Sequence, residues 1–171
     1  MLDTSGSMLQ GDKMAQARRG ALGYADSAVR RGYAVGLISF ASVARHLVAP
    51  TVERDGVRVA LEAIRADGST DMAAGLRLAA RQLGGADGTI RVICVVTDGQ
   101  ADDERLAIDV AKGIRKDGIQ IQAVGTADAD WSLLKRLTGD GSMARHVEQN
   151  RLSTSIAHMA QLLPPSGATG R

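Results

Sequence analysis

Hydrophobic positions along this chain switch repeatedly between two rhythms, one of three to four residues and one of two or fewer. Behind Asp12, a residue type that caps helix starts, Met14, Ala17, Ala21, Ala25 and Ala28 recur at helical spacing until Gly32. YAVGLISFA (33–41) and VARHLVAPT (43–51) then read as consecutive strands, so closely joined that they pair antiparallel. Val57, Leu61 and Ile64 mark a second helix, followed by the loop ADGST. A third helix from about Met72 carries Leu76, Ala79 and Leu83, and Gly84-Gly85 and Asp87-Gly88 break the chain after it. TIRVICVVT (89–97) is apolar almost throughout, as in a strand covered on both faces. A helix with Ala107, Val110, Ala111 and Ile114 inward follows, closed by Asp117-Gly118, then a strand, GIQIQAVGT (118–126). Trp131, Leu134 and Leu137 predict a short helix, MARHVEQ (143–149) a last strand, and Leu152, Ile156, Met159 and Leu163 a final helix ended by Pro164-Pro165.

Strands alternating with helices predict an α/β fold, doubly wound, with a mainly parallel central sheet, helices on both faces and one antiparallel edge strand. A chain of 171 residues suits one core, which we expect over residues 1–163, with 164–171 as a flexible tail. Ligands of such folds bind beyond the carboxyl ends of the strands, so the residues just after each strand are where chemistry is sought.

Composition narrows the choice. A 44% hydrophobic and 23% charged chain folds, and with only 2% aromatic residues its core is aliphatic. That scarcity argues against a stacking platform for single-stranded nucleic acid. The net charge of +2 creates no strong field, and Arg18, Arg19, Arg30 and Arg31 read as a solvated helix face, so no nucleic-acid partner is expected. The single cysteine, Cys94, lies in the buried-strand run and reads as an inert core thiol. With no signal peptide and no apolar run of about 18 residues, the expectation is a cytoplasmic chain with no membrane partner. Its Ala-, Arg- and Gly-rich composition fits a GC-rich bacterium.

Three loops at the expected binding edge carry oxygen donors: Asp3-Thr4-Ser5-Gly6-Ser7, Gly68-Ser69-Thr70-Asp71 and Thr97-Asp98-Gly99. In an alternating Asp-x-Ser-x-Ser, every second side chain points the same way, with Gly6 available for a tight turn. Taken singly, the first reads as a turn with a helix cap, Thr70 as an N-cap and Asp98 as an Asp-Gly turn. Together they form a hard-oxygen set suited to Mg²⁺, Mn²⁺ or Ca²⁺ rather than to zinc or copper.

DTSGSM followed by GDKM, then GST before an amphipathic helix, then VVTDG, resembles a von Willebrand factor type A domain with a metal-ion-dependent adhesion site (MIDAS). Asp3, Ser5, Ser7, Thr70 and Asp98 match that site one for one and in order. The resemblance implies a divalent ion, usually Mg²⁺, contacted by Ser5, Ser7 and commonly Thr70, with Asp3 and Asp98 acting largely through bound waters. An Asp or Glu from a partner protein would complete the ion. Intracellular relatives often work beside AAA+ ATPases, metal-insertion complexes or stress-resistance proteins, and these residues do not choose among them. The implied role is adhesion or scaffolding without catalysis.

A metal-dependent hydrolase or phosphotransferase using the same Asp/Ser cluster is the alternative. A haloacid-dehalogenase-like enzyme needs a second acid where Ser5 stands and a lysine at the phosphate, and no lysine is evident beside these loops. No G-x-S-x-G elbow or Walker-type loop is present. His46, His146 and His158 read as structural or exposed, Asp102, Asp103 and Glu104 as helix-capping acids, and Trp131 as a core anchor. In the family the metal loop hangs from a buried strand of five or six residues, whereas only Met1 and Leu2 precede Asp3. The expectation is that Met1 is not the natural start and that apolar residues lie upstream.

Overall fold

The computed structural model describes residues 1–66, 68–85 and 88–165. Six strands, β1 (Leu2–Asp3), β2 (Val35–Phe40), β3 (Ala44–Thr51), β4 (Arg91–Thr97), β5 (Ile119–Thr126) and β6 (Ala144–Val147), form one sheet in the order β3-β2-β1-β4-β5-β6. All neighbouring pairs are parallel except β2 and β3, whose hairpin makes the antiparallel edge. The strand order reverses at β1, so the crevice beyond β1 and β4 is the switch point where such sheets bind ligands.

Helices cover both faces. On one lie α1 (Lys13–Arg30), α2 (Arg54–Ala63) and α6 (Leu152–Met159), packed on Leu2, Leu37, Val96 and Val124. On the other lie α3 (Met72–Leu83), α4 (Glu104–Lys116) and α5 (Trp131–Thr138), packed on Phe40, Ile93, Val95 and Ile121. Val95 and Val96 thus serve opposite layers, which is why β4 reads as a continuous apolar run rather than an alternating one.

Element types follow the sequence reading, with three departures. Ile64 lies just past the end of α2, yet it is buried and completes that helix's apolar face. The last helix stops at Met159 and tightens into a 3₁₀ turn, Ala160–Leu162. Trp131 is no core anchor: it is 37% exposed, stacked on His146 at 5.8 Å with Lys135 5.2 Å over its ring. A helix that buries Leu133, Leu134 and Leu137 turns its first residue away from the sheet.

The expected loop ADGST includes residue 67, the Asp87-Gly88 break includes residue 87, and most of the expected tail is 166–171; these lie outside the described residues. Pro164, placed in that tail, is held by the Tyr33 hydroxyl, which donates to its carbonyl at 2.6 Å.

α1 and α6 meet so closely at Gly20 that a Cβ there would sit 2.8 Å from Ile156 and 2.9 Å from the Ser153 carbonyl oxygen. Alanine is worth about 1 kcal/mol over glycine in an open helix, but a backbone clash costs about 1–3 kcal/mol. Gly20→Ala should therefore destabilise the protein by up to about 2 kcal/mol after that offset. Gly113→Ala, facing open space in α4, should stabilise by about 0.5–1 kcal/mol. Urea denaturation of the two variants checks the opposite signs.

Candidate metal centre

Asp3 ends β1 inside the protein, with 0% of its surface exposed. Its two oxygens are both engaged: one accepts from the Ser5 amide at 2.8 Å, the other from the Thr97 hydroxyl at 2.5 Å. Burial pushes the Asp3 carboxyl above the usual range, opposed by the hydrogen bonds from Ser5 and Thr97, with the nearby Asp98 charge adding to the rise. The Thr4 amide donates to the Phe40 carbonyl at 2.8 Å, carrying the β1–β2 pairing one residue further before the chain turns.

The turn is a 3₁₀ helix, Gly6–Leu9, opened by Ser5. It brings Ser5 Oγ to 3.0 Å from Ser7 Oγ, and Ser7 Oγ donates to Asp98 Oδ1 at 2.7 Å. Gly6 does not use the left-handed backbone that a tight turn would ask of glycine. Its amide instead donates to the Gly68 carbonyl at 3.0 Å, tying the first loop to the second.

Thr70 is buried and joins through its backbone: its amide donates to both oxygens of Asp102 at 3.0 Å, and its carbonyl accepts from the Asp102 amide at 3.1 Å. Thr70 is not the N-cap of α3. Asp71 fills that place, accepting from the Ala74 amide at 2.9 Å. Of the three acids expected to cap α4, Asp103 does so and Asp102 is the clasp between the second and third loops. His46, His146 and His158 are exposed and take no part in the cluster.

Sequence reasoning missed two members of the site. Lys13 is buried, and its ammonium contacts Asp98 Oδ2 at 2.6 Å and Asp128 Oδ2 at 2.9 Å. This corrects the expectation that no lysine stands beside these loops. Desolvation pulls the Lys13 ammonium down, but its hydrogen bonds and charge contacts with Asp98 and Asp128 outweigh that and leave it raised, hence protonated. The available signal was geometric: a helix opening right after the loop points its first turn back at the loop, and a buried Asp98 requires a counter-charge. Asp128 comes from the loop after β5 and left no mark in the sequence.

The donor set fits a small hard cation. Mg²⁺–oxygen bonds of about 2.0–2.1 Å place neighbouring oxygens of an octahedron about 2.9 Å apart, and the Ser5 and Ser7 hydroxyls are 3.0 Å apart. Among the described residues, no three His, Cys, Asp or Glu side chains gather into a metal nest. The donors here are hydroxyls, with Asp98 already neutralised by Lys13.

A doubly wound sheet with hydroxyl and carboxylate loops at its switch point defines a class of ligand-binding α/β domains. The chain matches the profile of the von Willebrand factor type A domain over residues 1–100 and belongs to that family. Solved structures share the fold. Proximal thread matrix protein 1 from the mussel byssus, in a form with zinc occupying its MIDAS motif, aligns at a TM-score of 0.80 and 17% identity, over 94% of this chain and 43% of that one. The pilus adhesin SpaC from Lactobacillus rhamnosus GG aligns at 0.81 and 15%, over 95% and 30%. BatB, a conserved hypothetical protein from Bacteroides thetaiotaomicron, aligns at 0.73 and 23%, over 94% and 96%. The chain spans less than half the length of the mussel and pilus proteins. Comparison with functionally curated proteins gives no significant match.

Lys13 sets a specific expectation. Its side chain is 3% exposed and that of Asp98 0%, so Lys13→Met leaves a buried carboxylate uncompensated and should lower metal-free stability by about 3–5 kcal/mol. The same change removes a cation that repels an incoming divalent ion by several kcal/mol at an effective dielectric near 20. Mn²⁺ should therefore bind at least about tenfold tighter and restore much of the lost stability. Melting curves with and without Mn²⁺, beside calorimetric titration, check both halves.

Proposed function

We propose that this chain is a divalent-metal-dependent protein-binding module, non-enzymatic, whose ion is completed by a carboxylate from a partner protein. The observation that carries the reading is the continuous chain of oxygens from Ser5 through Ser7 to Asp98, set at ligand spacing. Ser5, Ser7 and Thr70 would hold the ion through neutral hydroxyls, with Asp3 and Asp98 accepting from its waters. Mg²⁺ is the expected ion, and Mn²⁺ or Ca²⁺ suit the same donors. So held, the ion supplies an electron-poor position that favours an external anion.

The surroundings support docking over turnover. Leu9, 66% exposed, ends the first loop's turn, and Val43, 57% exposed, sits beside Ser42, whose hydroxyl lies 3.1 Å from that of Ser69. Trp131, 37% exposed, follows the Asp128 loop, so exposed apolar side chains occur in or next to three loops at this end of the sheet. The phosphotransferase alternative gains a lysine in Lys13 but loses its nucleophile. Asp3 is wholly buried with both oxygens hydrogen-bonded, so neither is free to attack a phosphorus.

The partner's identity beyond its acidic group, AAA+ ATPase and stress-resistance proteins included, rests on the family resemblance. The cytoplasmic reading rests on sequence, and no helix among the described residues is long and apolar enough to cross a membrane. The single-domain reading of 1–163 is supported by helices packed along one sheet to Leu163.

Asp3→Ala and Asp98→Ala should each weaken Mn²⁺ binding by at least about tenfold, the loss expected when a group supporting the ligands goes; calorimetric titration measures it. Acetate or an Asp-containing peptide should perturb the electron paramagnetic resonance of bound Mn²⁺. Unchanged affinity in both variants defeats the site. A silent spectrum with carboxylates, together with cleavage of an aryl phosphate, transfers the case to the enzyme.

A further inference from the structure

Among the described residues, three charged side chains are buried: Asp3, Asp98 and Lys13, all of them in the metal centre. The other described charged side chains reach solvent, where salt screens them. Charges kept from water act at a low effective dielectric, so these three dominate the field at the oxygen cluster.

Their protonation pattern is legible in the hydrogen bonds. Asp3 accepts at both oxygens, from the Ser5 amide and the Thr97 hydroxyl, and Asp98 accepts at both, from Ser7 and Lys13. Only an ionised carboxylate is an acceptor throughout. The hydroxyls of Ser5 and Ser7 add oxygens but no charge. Lys13 is also fixed in place. Its ammonium lies 2.6 Å from Asp98 Oδ2 and 2.9 Å from Asp128 Oδ2, and its backbone amide donates to the Gln10 carbonyl at 3.4 Å.

Two buried carboxylates against one buried ammonium leave the centre with a single negative charge. A divalent ion on the serines turns this into a single positive charge, and one carboxylate from outside returns the centre to neutrality. Without the ammonium the ion alone would reach neutrality, and the outside carboxylate would then add a buried negative charge in excess. The charge of Lys13 therefore opposes the ion by itself and favours the ion with an acid on it.

We propose that Lys13 couples the two binding events at this site, holding metal affinity low until a partner's carboxylate arrives. The inference rests on the metal-dependent reading above and adds its regulation: the domain grips its ion firmly only in the complex. The coupling is reciprocal, so the ion raises affinity for the carboxylate by the factor by which the carboxylate raises affinity for the ion. Asp128, its side chain 67% exposed, tempers the ammonium from the solvent side. Lys13→Met and Asp128→Asn break the same contact but change the charge of the centre in opposite directions.

That opposition is the test. Mn²⁺ is titrated calorimetrically into the whole chain in sodium acetate and in sodium chloride of equal ionic strength, with free Mn²⁺ corrected for acetate binding. In the unaltered chain acetate should tighten Mn²⁺ binding at least about fivefold. In Lys13→Met, Mn²⁺ in chloride should bind tighter while the gain from acetate falls below about twofold. In Asp128→Asn, Mn²⁺ in chloride should bind about twofold weaker or more, with the gain from acetate undiminished. Weakening of Mn²⁺ binding in both variants identifies the Lys13–Asp128 pair as a structural clamp and overturns the proposal. An unchanged acetate gain in Lys13→Met overturns it as well. Asp128→Asn, altered at a solvent-facing side chain, decides the matter by its own signs if Lys13→Met fails to give a folded circular dichroism spectrum. Saturable Mn²⁺ binding that acetate leaves untouched in every chain defeats the partner-carboxylate reading, and no Mn²⁺ binding at all defeats the metal site, the coupling falling with either.

Discussion

A carboxylate with no exposed surface can stay charged only if its surroundings supply what water would, and Asp3 is placed under that demand at the centre of the sheet. Its answer is the Thr97 hydroxyl from the end of β4 and the Ser5 amide from its own loop. Those two bonds fix the first loop against the third. They also set the backbone direction from which the turn at Gly6–Leu9 departs, and so where Ser5 and Ser7 point. Breaking either bond would leave the carboxylate under-satisfied in the interior, so the geometry is held by a cost of leaving it.

The same constraint explains the remaining polar groups. Two buried carboxylates, Asp3 and Asp98, share one crevice, and the charge of Asp98 adds to the cost of ionising Asp3. Lys13 relieves Asp98 directly, and Asp128, whose side chain is 67% exposed, shares that ammonium with solvent close by. Because the balancing cation is a side chain and not an ion from solution, the cluster has a defined charge before any metal arrives. A divalent ion must either displace Lys13 from Asp98 or bind beside it. On the proposed reading, hydroxyl ligands would make the second course feasible, since Ser5 and Ser7 would contribute oxygens without adding negative charge.

Much of this was legible in the sequence where a pattern repeats. The helical spacing of Met14, Ala17 and Ala21 and the unbroken apolarity of RVICVVT fix element type, and their alternation implies a parallel sheet with its switch point near β1. Asp3, Ser5, Ser7 and Asp98 could be assigned to one edge because each follows a strand, whereas Thr70 follows none and was legible only from the motif, with Asp71 capping the helix after it. Lys13 and Asp128 could not, because their roles arise from contacts between segments 85 and 115 residues apart with no local signature. Trp131 misled for a related reason: a large aromatic at the start of a short helix satisfies the apolar period, but only the packing of Leu133, Leu134 and Leu137 decides which way that helix is rolled.

β1 joins the ladder at Leu2 and Asp3, between β2 and β4. What keeps it in register is side-chain chemistry: Leu2, 1% exposed, buried in the α1 layer, and Asp3 tied to Thr97. The position of the first loop therefore depends on a buried charge and on the leucine before it. The order of the oxygen cluster is thus tied to the pairing of Leu2 and Asp3 with both β2 and β4, through which the two helix layers bear on the first loop.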